Sequence, residues 1–168
     1  MIRTFVNREV RELAEASSVP VINGLDDDYH PCQVLADLMT IKEKKGDLKG
    51  LQLVYVGDGN NMAHSLMLGG ALAGMNVRII CPEGYRPKEG IVSAAQELGE
   101  KHGCSIEVTG DLEAVAGADV VYTDVWASMG QEDEAAKRLK AFEGYQVDVE
   151  MMNKAKVDAI FLLSLIHI

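Results

Sequence analysis

The groups in this chain whose types and spacing could do chemistry fall into three sets. The first is Asp124-Val-Trp-Ala-Ser-Met-Gly130, which follows the apolar run 120–123 and places polar groups where a buried-type strand should stop. A strand that ends at Asp124 and runs on into Trp126, Ser128, Met129 and Gly130 presents a fixed carboxylate, a hydroxyl and flexible backbone at the carboxyl edge of a sheet, where open α/β sheets bind ligands. Trp126 reads as a core aromatic, and Asp124 alone would pass for an ordinary strand-end acid. The second set is His30-Pro-Cys-Gln33, which puts an imidazole and a carboxamide on neighbouring positions of one helical face. Taken alone, His30 reads rather as a cap of that helix. The third is Gly57-Asp-Gly-Asn-Asn-Met62, which opens like a dinucleotide fingerprint but has Met62 in place of the third glycine. The strand that follows ends at Cys81-Pro82, where a ribose-binding acid would be needed. As a tight strand-to-helix turn, this segment needs no ligand.

The elements that must position these groups alternate along the chain. Residues 7–16 carry Val10, Leu13 and Ala14 on one helical face, then come the apolar run 19–22 and a turn over 23–27. Pro31 suits a first helical turn, and Val34, Leu35, Leu38 and Ile41 continue at helical spacing until Lys45-Gly46. From there the order is strand 51–56, helix 61–73, strand 77–81, helix 88–102, strand 105–108, short helix 112–116 and strand 120–124. Helices over 132–142 and 149–156 lead to a last strand over 159–163. Such alternation predicts an α/β fold, a doubly wound, Rossmann-like parallel sheet with right-handed crossovers. In the order 3-2-1-4-5, the first and fourth strands flank the switch point and carry the Asn61 and Asp124 motifs. Both residues are therefore expected to line one crevice. Three units are expected: the end of a preceding domain over 1–32, a connecting helix over 33–48, and a second domain over 49–168 that is incomplete at its carboxyl end.

Composition narrows the functional classes. With 168 residues, 48% of them hydrophobic, the chain can bury one ordinary core. A net charge of −10 disfavours nucleic acid and anionic membranes, since either requires a basic footprint. Cys32, Cys81 and Cys104 are odd in number and lack a C-x-x-C pair, which suggests neither a disulfide framework nor a zinc site. A reducing cytoplasm is the expected setting. Charged residues from Arg3 to Glu15 leave no apolar signal region, and no uncharged run approaches membrane-spanning length.

Together the GD-x-NN turn at Gly57–Asn61, the D-x-W-x-SMG loop at Asp124–Gly130 and H-P-x-Q at His30–Gln33 strongly resemble the ornithine carbamoyltransferases, from about Arg3 to about Leu162. A whole family member is roughly twice as long, so the resemblance implies a chain truncated at both ends. Most of the carbamoyl phosphate domain, with its Ser-Thr-Arg-Thr loop, has no counterpart here. Where the family reads Phe-Leu-His-Cys-Leu-Pro, this chain reads Phe161-Leu-Leu-Ser-Leu-Ile-His-Ile168, and Ser164 falls at the expected Cys without neighbours that fit the pattern.

The resemblance implies carbamoyl transfer from carbamoyl phosphate to the δ-amine of ornithine, giving citrulline and phosphate, with no metal or other cofactor, in a cytoplasmic homotrimer. It implies that Arg3 bonds carbamoyl phosphate, that His30 donates to the carbamoyl oxygen, and that Gln33 accepts from the carbamoyl amide. Asn61, Asp124, Ser128 and Met129 are implied to contact ornithine: a carboxamide at a helix amino end can bond an amino acid's carboxylate and ammonium, and Asp124 pairs with an ammonium. Aspartate carbamoyltransferases share H-P-x-Q but not this loop, which favours a cationic co-substrate. A carbamoyltransferase for putrescine or an acylated ornithine, and a non-enzymatic α/β fragment with weak amino-acid binding, remain as alternatives. The chain as it stands is expected to have little or no transferase activity.

Overall fold

The structure, a computed structural model, describes residues 1–126 and 135–164. Five parallel strands form the main sheet: β3 (Gln52–Val56), β4 (Asn76–Ile80), β5 (Ile106–Thr109), β6 (Val120–Asp124) and β7 (Ile160–Ser164). Their spatial order is β5-β4-β3-β6-β7, so the chain winds outward from β3 in one direction and then from β6 in the other. This is the doubly wound order expected from the alternation, with β3 and β6 adjacent at the switch point.

Burial on both faces explains why β3 and β6 are apolar without interruption. Leu53, Tyr55, Val120 and Tyr122 pack under α2 (Pro31–Lys45), α3 (Asn61–Leu72) and α4 (Glu89–His102). Val54, Val56 and Val121 face the other way, against Val115 in a 3-10 turn (Leu112–Val115) and Met151 in α6 (Val149–Met152). Close packing of α3 depends on small residues. A Cβ on Gly70 would lie 2.3 Å from Val77 Cγ2, and one on Gly69 would lie 2.7 Å from Val34 Cγ1, so sheet and connecting helix both approach the α3 backbone directly.

Before the sheet, α1 (Asn7–Ala16) is followed by β2 (Asn23–Leu25), which pairs in parallel with β1 (Ile2–Arg3). This corrects the turn expected over 23–27: pairing with β1 draws Asn23–Leu25 into an extended ladder, while Val19 and Ile22 of the apolar run stay exposed. The helix expected over 149–156 stops at Met152. Gly117 N–H donates to the Lys154 carbonyl and Lys156 N–H to the Ala118 carbonyl, so this stretch turns back to feed β7 instead of continuing the helix. In the region expected to be helical over 132–142, α5 spans Ala135–Ala141, and residues 132–134 lie outside the described residues. Among the described residues, no helix is long and apolar enough to cross a membrane.

The turn after β3 carries a specific steric constraint. Gly59 donates its N–H to the Tyr85 carbonyl at 2.8 Å, and a Cβ on Gly59 would lie 2.2 Å from Pro87 N. This glycine therefore accommodates the segment after β4, whereas in a dinucleotide site it would open its backbone to a pyrophosphate. Gly59→Ala is expected to destabilise the fold by about 1–3 kcal/mol through overpacking against backbone. Urea unfolding would measure this, and an unchanged midpoint would show that the two turns are not in contact.

Candidate active site at the carboxyl edge of the sheet

The amino end of α3 organises the edge. Asn60 is the N-cap residue: its Oδ1 accepts from the N–H groups of Met62 and Ala63 at 3.0 and 3.3 Å, satisfying donors that the helix leaves open. With its oxygen so occupied, Asn60 points Nδ2 at Asp124 Oδ2, 3.1 Å away at the end of the neighbouring strand. Asp124 Oδ1 accepts from the Val125 N–H at 2.7 Å. Burial raises the Asp124 carboxyl above its ordinary range, and its contacts with Asn60, Val125 and Ser164 only partly offset this. Ser164 is buried and stands in register with Asp124 on β7. An ionised carboxylate has room for more donors than these, and a cation would relieve the cost of its burial.

Two tyrosines in register lie beneath this edge. Tyr55 on β3 and Tyr122 on β6 are paired across the ladder, their rings tilted by 31° with centroids 6.0 Å apart. Tyr55 Oη reaches to 3.5 Å from Asn60 Oδ1, and Tyr122 Oη donates to Asp37 Oδ2 at 2.8 Å. Asp37 Oδ1 in turn accepts from Gln33 Nε2 at 2.9 Å. Because the Gln33 amide hydrogen is held by Asp37, its Oε1 is the end left to accept from a ligand. Burial raises the Asp37 carboxyl too, against the hydrogen bonds from Tyr122 and Gln33.

His30 stands at the N-cap position of α2, yet its side chain makes no capping bond, so the capping role is not what its imidazole does. Its backbone N–H donates to Ser65 Oγ at 2.8 Å, and its Nδ1 is buried without a partner. Burial and then the nearby Arg3 guanidinium lower its pKa, which favours a neutral imidazole. Arg3 itself is exposed on β1 and close enough to His30 to act on its charge.

Among the described site residues, Arg3 acts on His30, Gln33 follows His30 in α2, and Asp124 is reached from the amino end of α3, with one rearrangement from the expected contacts. Asn61 does sit at the carboxyl end of β3, but its Nδ2 donates to the Asp26 carbonyl at 2.8 Å, and the residue that reaches Asp124 is Asn60. Ser128 and Met129 lie outside the described residues. Trp126 stacks on Phe142 at 5.8 Å, in keeping with its structural reading. Sequence reasoning missed Asn60, Asp37, Tyr122 and Arg138. Asn60 and Asn61 are equally suited to cap a helix by type, so the sequence alone did not single out Asn60. Arg138 is buried and pairs with Asp58 at 2.5 Å while donating to the Trp126 carbonyl at 3.0 Å, which ties α5 to the turn after β3. Nothing in the local sequence marks that pairing. Among the described residues, no cluster could hold a metal ion.

The charge states carry a pH consequence. His30 and His64 both have folded pKa values lowered below the ordinary 6.5, chiefly by burial, so the folded chain binds fewer protons than the unfolded one as pH falls through that region. Their contribution to stability is present above about 6.5 and is lost as pH drops toward the folded values. Urea unfolding is expected to give lower stability near pH 5.5 than near pH 7.5, with a shallower dependence in His30→Gln. A pH dependence equally steep in His30→Gln would show that the His30 ring makes no such contribution.

Comparison with known proteins agrees with this arrangement. The sequence model described as "Aspartate/ornithine carbamoyltransferase, Asp/Orn binding domain" matches residues 49–165, and its partner, the "carbamoyl-P binding domain", matches residues 1–43. The ornithine carbamoyltransferase of Oceanobacillus iheyensis is 58% identical over 163 residues, covering 96% of this chain and 51% of that protein. That of Symbiobacterium thermophilum is 59% identical over 163 residues, covering 96% of this chain and 53% of that protein. The solved ornithine carbamoyltransferase from Pyrococcus furiosus superposes with a TM-score of 0.93 at 50% identity, over 98% of this chain and 53% of its own. The chain therefore spans about half the length of the relatives it matches. By the match of the amino-acid-binding domain over most of its length, this chain belongs to the aspartate/ornithine carbamoyltransferase family.

Proposed function

We propose that this chain is the ornithine-binding part of an ornithine carbamoyltransferase, joined to the end of its carbamoyl phosphate domain. In this reading residues 1–32 close the first domain, 33–48 form the connecting helix, and 49–168 belong to the ornithine domain. The observation that carries it is the Asp124 carboxylate at the β3/β6 switch point, partly buried and lacking a cationic partner among the described residues, on the same edge as the α3 amino end. A free amino acid with a cationic side chain supplies both the missing positive charge and a carboxylate for a helix amino end.

The chemistry assigned to the residues follows from their protonation and their remaining hydrogen-bond capacity. His30, kept neutral, donates to the carbamoyl oxygen as it becomes an oxyanion, an effect worth on the order of 3–4 kcal/mol per donor. Gln33, with its amide hydrogen held by Asp37, accepts from the carbamoyl amide. Arg3 binds the phosphate of carbamoyl phosphate, and Asn61, Asp124, Ser128 and Met129 bind ornithine. The δ-amine, whose free pKa is near about 10, attacks as the neutral base, so burial in the site must favour its unprotonated form. The C–O bond to phosphate breaks, the proton lost by the attacking amine leaves on the departing phosphate, and citrulline is released. No metal or other cofactor takes part, and the complete protein is a cytoplasmic homotrimer.

Two measurements test this reading. Calorimetric titration of the chain with ornithine should show binding that Asp124→Asn weakens by about 1.5–3 kcal/mol, the range for a lost charge-assisted bond. Equal affinities would remove Asp124 from the site. Purified chain should form little or no citrulline from ornithine and carbamoyl phosphate, because attack geometry needs both substrates fixed and loss of one anchor forfeits several kcal/mol. With His30→Ala as the control for contaminating enzyme, substantial turnover abolished by that substitution would show that the short chain builds its carbamoyl phosphate site another way.

A further inference from the structure

The first turn of α3 does more than present Asn61 to the crevice. Asn61, His64 and Ser65 stand at positions that share one helical face, and all three spend a side-chain group on the backbone of the segment that delivers His30. Asn61 Nδ2 donates to the Asp26 carbonyl at 2.8 Å, His64 Nδ1 lies 2.9 Å from the Asp28 carbonyl, and Ser65 Oγ accepts from the His30 N–H at 2.8 Å. The groups recognised are alternate backbone positions, 26, 28 and 30, of one strap.

His64 also joins this strap to a third segment. Its Nε2 accepts from the backbone N–H of Lys88, the N-cap residue of α4, at 3.1 Å. An amide N–H can only donate, so Nε2 must carry the lone pair and Nδ1 the hydrogen, which is then given to the Asp28 carbonyl. Both bonds exist together only in this neutral tautomer. The groups around the ring are the Asp28 carboxylate, the Lys88 ammonium that pairs with it, the Asp58 carboxylate and the Tyr29 ring, 6.5 Å away centroid to centroid. The ring is buried.

We propose that His64 is a positioning residue for His30: its Nδ1–H tautomer fixes the 26–30 strap against the start of α4, and so sets where the His30 imidazole stands. The assignment rests on the reading that His30 contacts the carbamoyl group. A proton added at Nε2 abolishes the acceptor that Lys88 N–H requires, while loss of the Nδ1 hydrogen frees the Asp28 carbonyl, and either change releases one side of the strap.

The 15N-labelled chain tests this without any ligand, so its outcome is independent of whether His30 meets a carbamoyl group. Multiple-bond proton–nitrogen spectra at pH 7 are expected to show His64 as the Nδ1–H tautomer, and an Nε2–H or doubly protonated ring would overturn the proposal. His64→Asn retains a donor at the Nδ1 position and His64→Gln an acceptor at the Nε2 position. The protection of the His30 amide from hydrogen exchange should fall roughly tenfold or more in His64→Gln and be largely restored in His64→Asn, with Val54 in β3 unchanged. Equal loss at His30 and Val54 would show a general structural role, and an unchanged His30 in both variants would show no role; either overturns positioning. Should neither variant fold, the pH series on the unsubstituted chain decides: His30 protection falls in step with His64 protonation, or it is independent of it and the proposal fails.

Discussion

The hydrogen bond from Asn60 to Asp124 is the joint on which the edge of this molecule depends. It connects the cap of α3 to the last residue of β6 across the switch point, and it is possible only because the Asn60 oxygen is committed to the helix, leaving the amide hydrogens for the carboxylate. The in-register pair Tyr55 and Tyr122 carries the same logic deeper. One hydroxyl reaches toward Asn60 and the other donates to Asp37, so two neighbouring residues of the sheet hold both halves of the candidate site from below. Their rings are fully buried and packed against each other at a tilt of 31°, which makes these hydroxyls fixed reference points.

Burial shifts the edge toward neutrality. His30 and His64 are pushed toward the neutral imidazole, while Asp37 and Asp124 are pushed toward the protonated acid. Apart from the Arg138–Asp58 and Lys88–Asp28 ion pairs, Asp37, Asp124 and His64 are held by hydrogen bonds to neighbouring side chains and backbone, which leaves charge pairing at Asp124 to whatever enters. That is a physical reason for the proposed charged amino acid to bind here.

Most of the architecture was legible in the chain because it rests on long, regular signals. The uninterrupted apolar strands, Gly46 at the end of the connecting helix and the alternation of periods led directly to the doubly wound order. The errors fall where the structure is decided by distant partners. Asn23–Leu25 has no strand signature, and it becomes a strand only because Ile2–Arg3 lies beside it. The site was readable as motifs but not as contacts. H-P-x-Q pointed to His30 and Gln33, yet the aspartate that orients Gln33 is itself fixed by a tyrosine 85 positions away. Likewise the Asn pair after β3 divides its labour in a way that spacing cannot reveal: Asn60 caps and reaches Asp124, and Asn61 turns to the 26–30 strap.

The central claim is that Asp124 is a carboxylate set in a partly dry edge to receive a cation. Carbon-13 titration of the Asp124 carboxyl in the free chain and in the presence of ornithine tests it most directly. The account predicts a pKa above the ordinary aspartate value of 3.8 in the free chain, from burial, and a clear fall when ornithine is added, because an ammonium beside the carboxylate favours its charged form. A carboxyl that already titrates in the ordinary range, or one whose titration ornithine leaves unmoved, would contradict it.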